Sequence, residues 1–468
     1  MKKTYLFFDR RWIMPCHSGT WKARGAYQFR IAPTEKLEAP MLVRDRPWEA
    51  YMIGWPTLLY DQGRYRMWYE ALDPAFRNDV DGRLCYAESD DCINWRKPEL
   101  GLVDYHGSKK NNIVFDGAMS EGTGYGGGTV FIDPTAPSSE RYKMIFSGSV
   151  LASCTKTLIA AVVEQAYSAD GIHWKMKIPE SKSRVSWMIY GSDTQTVVFW
   201  DPGQRKYIGF FRMWEPTYNR CISRAETNDF YSWPLPDTVL RPEEDELFTD
   251  LYNNCAVRYE RHNEVGYFFF TSAYHHGRDT LHVQLATSRD TRIWNRSDRR
   301  AFIDNTPGSF DARQIYAGPG LVPLGPATLA LAYAGSACPH EKHVVENAQR
   351  SDSGIGLVKI KQDRFQGLHA KSFEFAVAPF IPQTPSLDIT VNADIARGGF
   401  IRVGIVSPGT NQFVDDASLE QCVPLTGDVL AEPVRWRTKP NFRDLVGRNV
   451  ELRLQLSDAT LYSVEVDA

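Results

Sequence analysis

An all-β fold, a five-bladed β-propeller followed by a C-terminal β-sandwich, is predicted by three observations on this sequence. A strand–turn–strand unit recurs five times in the same order. Aromatic and turn-forming residues dominate the chain, with 13 Trp, 22 Tyr, 24 Phe, 34 Gly and 27 Pro; aromatics favour pleated strands, while Gly and Pro punctuate turns. From about Lys371 onward the hydrophobic pattern changes to strict alternation, the period-2 signature of half-buried antiparallel strands.

The first segment, Tyr5 to Trp12, is expected to close the ring by pairing in the last blade, because an open edge there would invite aggregation. The repeats follow. Thr57–Asp61 leads to Tyr65–Tyr69, Thr129–Asp133 to Tyr142–Phe146, Thr196–Asp201 to Tyr207–Phe211, Ala256–Glu260 to Tyr267–Phe270, and Gly320–Leu324 to Leu329–Tyr333. The first four each continue into a small polar turn that closes on a tryptophan: Ser89–Trp95, Ser168–Trp174, Thr227–Trp233 and Ser288–Trp294. The fifth ends on Lys361–Phe365, with Phe replacing Trp. Successive tryptophans lie roughly 60–80 positions apart, longer than a WD-type blade but still one supersecondary unit. Such a sheet cannot bury both faces alone, so several stack radially, and the aromatic after each turn packs between neighbours. Asp61, Asp133 and Asp201 end the inner strands and read as turn residues, as do Asp170 and Asp290 in the Trp turns.

In the tail, Phe373–Val377, Leu387–Val391, Ile401–Ile405 and Val450–Leu456 alternate around turn clusters such as Ser407–Thr410. They read as a sandwich over 371–468, after a propeller over 1–370. The only tryptophan there, Trp436, sits in an alternating strand, so the tail is expected to support the propeller or an oligomer interface.

Composition excludes several classes. Lys plus Arg total 54 against 57 Asp plus Glu, a net charge of −3, which argues against a nucleic-acid-binding face and against a polybasic membrane anchor. Tyr5-Leu6-Phe7-Phe8 runs straight into Asp9-Arg10-Arg11, so the 7–15 apolar residues of a secretory leader are missing, and no run reaches the ~18 of a membrane helix. The eight cysteines are scattered without a CxxC pair and read as reduced thiols. A cytoplasmic protein, with a homo-oligomer open, is expected.

The ordered Trp turns and Tyr-initiated strands resemble the five-bladed propeller glycosidases, namely the invertase/levanase, levansucrase and arabinanase/xylosidase families, some of which carry a C-terminal β-sandwich. The resemblance covers nearly the whole chain as architecture. It implies glycoside hydrolase or transglycosylase activity on a carbohydrate substrate. The sharpest invertase motifs (Asn-Asp-Pro-Asn-Gly, Arg-Asp-Pro and Glu-Cys-Pro) are missing; Arg46-Pro47-Trp48-Glu49 and Ser192-Asp193-Thr194-Gln195 occupy comparable places. The chain therefore looks like a divergent member.

In a propeller the residues just before the inner strands converge on a central funnel. Every repeat supplies one acid there: Glu49, Glu121, Asp193, Asp250 and Asp311. Trp48, Tyr125, Gln195, Tyr252, Asn253, Asn254, Gln314 and Tyr316 flank them. Carboxylates beside amides and aromatics suit a sugar, and glycosidic cleavage needs two carboxyl groups in different environments. Glu49, Asp193 and Asp250 are the expected catalytic set, Glu49 being the nearest positional equivalent of a first-blade nucleophile in the families resembled. Glu121, Asp311, Trp48, Tyr252, Asn253, Arg212, His275 and His276 are expected to bind substrate. The competing reading is that acids before strands cap turns by accepting backbone N–H bonds. No cofactor is required by this chemistry, although a carboxylate-rich hub would suit a central Ca²⁺.

Other motifs carry less. Gly122–Gly128 has the composition of a phosphate loop but precedes a strand instead of joining strand to helix, so it reads as a funnel loop. His340-Glu341-Lys342-His343 lacks the spacing of two metal ligands one helical turn apart. Arg313 sits beside a funnel segment and could pair a catalytic acid or an anionic sugar. No Gly-x-Ser-x-Gly or His-Glu-x-x-His motif is present. Two further functions stay open on the same funnel: carbohydrate binding without turnover, and scaffolding of protein partners.

Overall fold

The computed structural model describes residues 2–14, 23–75, 81–120, 124–151, 158–176, 194–214, 219–242, 245, 247–341, 353–407 and 412–467. Side chains of 149–151 and 158–162 are outside that description. The fold is all-β. Among the described residues the only helical elements are three 3-10 turns of three residues each, and no helix is long and apolar enough to cross a membrane.

Five antiparallel sheets follow one another along the chain. The first orders Met52–Asp61, Arg64–Leu72, Arg83–Ser89 and Ile113–Phe115; the second Gly126–Ile132, Tyr142–Leu151, Leu158–Ser168 and Trp174–Met176; the third Val197–Asp201, Lys206–Trp214, Arg220–Thr227 and Asp237–Leu240. In the fourth, Thr249–Leu251 and Ala256–Arg261 pair successively with one edge of Glu264–His275, and Thr280–Ser288 with the other. The fifth joins Gln314–Gly325, Thr328–Ser336 and Gly354–Lys361.

Both faces of these sheets are covered, which is why their strands read as near-continuous apolar runs. In the third sheet Ile208 and Phe210 enter a core shared with the fourth, while Tyr207 and Phe211 enter one shared with the second. Further cores join first to second, fourth to fifth, and fifth back to first, where Val322, Leu357 and Ile355 meet Ile53, Leu58 and Met67. The turn-closing aromatics Trp95, Trp174, Trp233, Trp294 and Phe365 each lie in the core facing the preceding sheet. The arrangement is propeller-like.

The tyrosine that opens the second strand of a sheet has a second task. Tyr207 donates to Asp133 at 2.6 Å, Tyr142 to Asp61 and Tyr267 to Asp201, each bond crossing from one sheet to the end of the preceding sheet's first strand. Tyr65 donates across the fifth-to-first junction to the Pro323 carbonyl at 2.7 Å. Between the fourth and fifth sheets the roles reverse, Tyr259 donating to Asp363 of the following turn at 2.6 Å. The aspartates read from sequence as turn residues are therefore also inter-sheet acceptors. Asp170 and Asp290 do stay local, each accepting two backbone N–H bonds within its own Trp turn.

Two corrections concern the chain ends. The N-terminal strand is Lys2–Leu6, and it pairs with Glu451–Asp467 of the tail, not with the last of the five sheets. Its two faces explain the choice: Tyr5 and Phe7 enter the tail's core, while Leu6 and Phe8 enter the core between the fourth and fifth sheets. The fifth sheet is instead completed by Glu35–Lys36 and Leu42–Val43, which pair with Gly354–Lys361. The tail itself is one connected sheet. Gln366–Ala376, Asp388–Val406, Asp428–Pro433 and Glu451–Asp467 take in Lys2–Leu6 and Ala23–Ile31 from the other end of the chain. Its alternating apolar residues form a single core. Six cysteines are free thiols; Cys16 and Cys154 lie outside the described residues.

Replacing Tyr207 with Phe strips a donor from Asp133, which is only 1% exposed. Chemical denaturation should show a loss of about 1–3 kcal/mol, the cost of an unsatisfied buried acceptor. Glu226 gives a pH test. Burial opposes its ionisation, but hydrogen bonds from Lys206 and Arg224 prevail and bring it down to about 2. With its folded value below its unfolded one, its stabilisation is complete above the ordinary Glu range and is lost as pH falls towards 2. The difference in melting temperature between the wild type and Glu226→Gln should therefore shrink between pH 5 and pH 2.

Candidate functional site

The first strand of each sheet has one edge with no neighbouring strand of its own sheet, and its backbone groups need partners. Side-chain amides supply them. Gln195 Nε2 donates to the carbonyls of Trp55, Pro56 and Gly128 at 3.1–3.2 Å, joining the third sheet to the first and second. Asn254 donates to the Gln195 carbonyl at 2.9 Å, and Asn253 to the Ala317 carbonyl at 2.8 Å. The fifth sheet closes on the first by direct approach: a side chain at Gly318 or Gly320 would collide with the Pro56 or Leu58 carbonyl. Gln195, Asn253 and Asn254 are all 0% exposed. These hub residues are the amides that the sequence placed at the funnel, and they bind protein carbonyls.

Beside this hub four of the five first strands are irregular, those of the first, second, fourth and fifth sheets; the first and fourth carry aromatic rings there. In the first sheet the register slips between Gly54 and Thr57, one extra residue is accommodated, and Trp55 takes a left-handed backbone at φ 46°. Bulges of this kind re-aim a side chain. In the fourth sheet the strand is interrupted over Tyr252–Cys255. The two irregularities bring aromatic rings together. Trp55 lies 5.0 Å from Tyr316, Tyr316 5.6 Å from Tyr252, and Tyr252 6.2 Å from Tyr274. His340 is set among them, 4.7 Å from Tyr252 and 4.8 Å from Tyr274. Tyr316 donates its proton to Gln314 Oε1 at 2.7 Å, so the 2.9 Å contact between Tyr316 Oη and His340 Nδ1 assigns the imidazole proton to Nδ1.

A charged group adjoins the rings. Asp250, 1% exposed, receives Arg220 Nη1 at 2.5 Å and the Arg220 backbone N–H at 3.1 Å, and lies 2.9 Å from His276 Nε2. The other nitrogen of His276 is 3.4 Å from Glu341. The Arg220 guanidinium lies over Trp214 at 4.4 Å and Tyr252 at 5.0 Å, and Arg212 lies over the same two rings at 5.4 Å. Asp279 accepts from Tyr274 Oη at 3.1 Å and from the His340 backbone at 2.9 Å, tying the loop that bears His340 to this wall. Burial, with Glu341 and Asp279 nearby, holds Tyr274 well above the ordinary phenol range, so its hydroxyl stays a donor. The partly exposed faces of Trp55 and Tyr316, with buried Tyr252 and Tyr274 behind them, stand beside fixed donors and acceptors, an arrangement that can hold a sugar ring.

The structure brings together Asp250, Tyr252, Arg212 and His276 of the residues singled out in the sequence, with Asn253 behind them in the hub. His275 is directed elsewhere: its Nδ1 is 3.1 Å from Thr249 Oγ1, and its ring lies 4.9 Å from that of His282 at a 30° tilt. Glu49 and Asp311 have another setting. Glu49, 0% exposed, binds Lys97 at 2.7 Å, Tyr69 Oη at 2.7 Å and the Asp45 backbone N–H at 3.0 Å. Asp311 repeats it with Lys36 at 2.7 Å and Tyr333 Oη at 3.0 Å. In both sheets the acid stands three residues before the first strand and binds the sixth residue of the second strand plus an ammonium. That is a structural ion pair made twice, and it corrects the expectation that these two acids face a substrate. Trp48 is likewise part of packing, its Nε1 donating to buried Asn112 at 3.0 Å. Tyr125 is buried in the core between the first two sheets. Glu121 and Asp193 lie outside the described residues.

Sequence reasoning missed Trp55, Trp214, Arg220 and Tyr274, and left His340 and Tyr316 at the margin. A signal existed for the first: Gly54-Trp55-Pro56 puts a glycine and a proline inside a strand pattern, which marks a bulge.

No family model matches this chain, and no curated protein does. Among solved structures it is similar to one titled a glycoside hydrolase, with 15% identity, covering 70% of this chain and 93% of that one at a TM-score of 0.48. It is also similar to a fructofuranosidase from Schwanniomyces occidentalis, with 10% identity over 91% and 96% of the two chains at 0.46. A third is an N-acetylgalactosamine deacetylase from F. plautii, with 13% identity over 73% and 96% at 0.45. Glycoside hydrolases, the group that the repeat pattern resembles, are thus among the similar structures.

Glu49→Ala should cost about 1–3 kcal/mol in denaturant unfolding, because it leaves the buried Tyr69 hydroxyl without its acceptor, while Lys97 keeps Asp45 at 2.6 Å. Glu49→Gln, which keeps the acceptor for Tyr69, should cost less.

Proposed function

We propose that the five sheets are the blades of one five-bladed propeller, that the tail is a supporting sandwich-like domain, and that the chain acts on a glycan at the mouth of the hub. The activity proposed is glycoside hydrolysis or transglycosylation. The observation that carries it is the pair of partly exposed rings Trp55 and Tyr316, backed by buried Tyr252 and Tyr274, beside the Asp250–Arg220–His276 group. A sugar stacked on the wall would present its anomeric carbon and hydroxyls to these ionic groups.

In this reading Asp250, held by Arg220 and His276, serves as base, nucleophile or stabiliser of the oxocarbenium charge. The partner acid in this reading is Asp193. It stands two positions before the hub amide Gln195 in the sequence. Glu121 would hold hydroxyls from the second sheet. Among the described residues no group of three or more His, Cys, Asp and Glu side chains is arranged to hold a metal. The reaction as proposed uses side chains alone, without a cofactor.

One observation favours a second reading, carbohydrate binding without turnover: Asp250 is nearly inaccessible and already shared between Arg220 and His276. A panel of furanoside and pyranoside substrates separates the two. Under the first reading the wild type hydrolyses at least one substrate, Asp193→Asn and Asp250→Asn each lower kcat by about 10²-fold or more, and a chelator changes nothing. Glycan binding by calorimetry with no product would favour the second. Turnover that survives both substitutions would overturn the assignment.

A further inference from the structure

His340 is fixed twice over, by its backbone and by its ring. Its backbone N–H donates to Asp279 Oδ1 at 2.9 Å, and the N–H of Glu341 donates to the same oxygen at 3.1 Å. The ring is set from the fifth sheet. Gln314, 0% exposed, donates from Nε2 to the Cys338 carbonyl at 2.6 Å, which settles the end of the amide that carries the oxygen. That oxygen takes the Tyr316 hydroxyl proton at 2.7 Å and lies 3.4 Å from His340 Nδ1. A hydroxyl has one proton to give, so Tyr316 Oη can only accept across its 2.9 Å contact with Nδ1. Two oxygens therefore face Nδ1, and both require a proton there. The circuit selects the Nδ1–H tautomer and leaves the lone pair on Nε2.

The nitrogen that keeps the lone pair decides what the residue recognises, because a neutral imidazole in this tautomer accepts at Nε2 and does not donate there. Donors are plentiful beside Tyr252, over which both the Arg212 and Arg220 guanidiniums lie. The carboxylate next to them, Asp250, is 1% exposed and shared between Arg220 and His276. His340 is half-buried, as is Tyr316, so part of its surface is open where Asp250 is closed. We infer that His340 is a specificity residue of the glycan site: Nε2 accepts a hydrogen bond from one substrate hydroxyl, and Tyr316 and Gln314 are positioning residues that hold the tautomer. This rests on the glycan-acting reading above and narrows its substrate class to glycans with a free hydroxyl at that position, since a site built to accept from a hydroxyl rejects the analogue that lacks it.

Two measurements test it. Nitrogen-15 NMR of histidine-labelled protein reads the tautomer with no ligand present. The His340 signals, identified by their loss in His340→Gln, should show a protonated Nδ1 and a bare Nε2. Tyr316→Phe, which keeps the aromatic face and removes the oxygen, should raise the share protonated at Nε2. A proton on Nε2 in the wild type, or a tautomer unmoved by Tyr316→Phe, overturns the inference and leaves the glycan-acting reading intact. Calorimetry then compares monodeoxy derivatives of a glycan that the wild type binds or cleaves. One of them should bind about three- to tenfold more weakly than the parent, the loss expected for one hydrogen bond, and that difference should vanish in His340→Ala. Tyr316→Phe should weaken the parent by a similar factor, but not when His340 is already Ala, a pattern that lost stacking would not give. Deoxy derivatives ranked alike by the wild type and His340→Ala overturn the role of His340 alone. If the wild type binds no glycan, the glycan-acting reading falls and this inference with it.

Discussion

Everything in this molecule depends on satisfying the axial edges of five first strands. The first strand of each of these sheets has one edge without a strand of its own sheet, and its backbone groups need partners. Three amides resolve this by reaching across to neighbouring carbonyls: Gln195 to the first and second sheets, Asn254 to the third, and Asn253 to the fifth. Glycines let the fifth and first sheets touch directly. Because the hub is made of side chains from loops before strands, it also fixes where those loops stand. The site is a consequence of that.

Away from the axis the same repeat does different work. In the first four sheets a tyrosine near the start of the second strand reaches back to the preceding sheet, at the fourth-to-fifth junction Tyr259 reaches forward, and a tryptophan or phenylalanine at the end of each turn fills the core behind it. Each sheet thus depends on the next, and the ring holds only if the last meets the first. Two short N-terminal strands complete that last sheet, while Lys2–Leu6 leaves to join the tail, with one face on each core. The chain ends are interleaved, so tail and ring are stabilised together.

Irregular first strands are the rule at the hub. The first strand of the first sheet has one extra residue and carries Trp55 there; the fourth is interrupted, and the gap carries Tyr252. The second slips between Gly126 and Thr129 and the fifth between Ala317 and Leu321, without contributing a ring at those slips. Strain at Trp55 fits the same pattern, since local conflict is tolerated where the rest of the structure holds a side chain in place.

The succession of strands and turns was legible because these are local properties. The apolar run Val197–Trp200, the tyrosine at the start of Tyr207–Phe211 and the polar turn before Trp233 each act within a few residues. The tail's alternation was legible for the same reason. What the acids do was not. Glu49, Asp250 and Asp311 look alike in sequence, each standing shortly before a first strand, yet Asp311 is neutralised by Lys36 from 275 residues away and Glu49 by Lys97 from 48. Asp250 meets Arg220 and His276 on neighbouring strands instead, beside a row of rings contributed by the first, fourth and fifth sheets. The sequence by itself determined the strands, their turns and the apolar faces that stack them, because those follow from short-range periodicity and turn chemistry. The tertiary structure alone decided which carboxylate is locked in an ion pair and which stands at the aromatic wall, because a charge takes its role from the partners that distant segments bring to it.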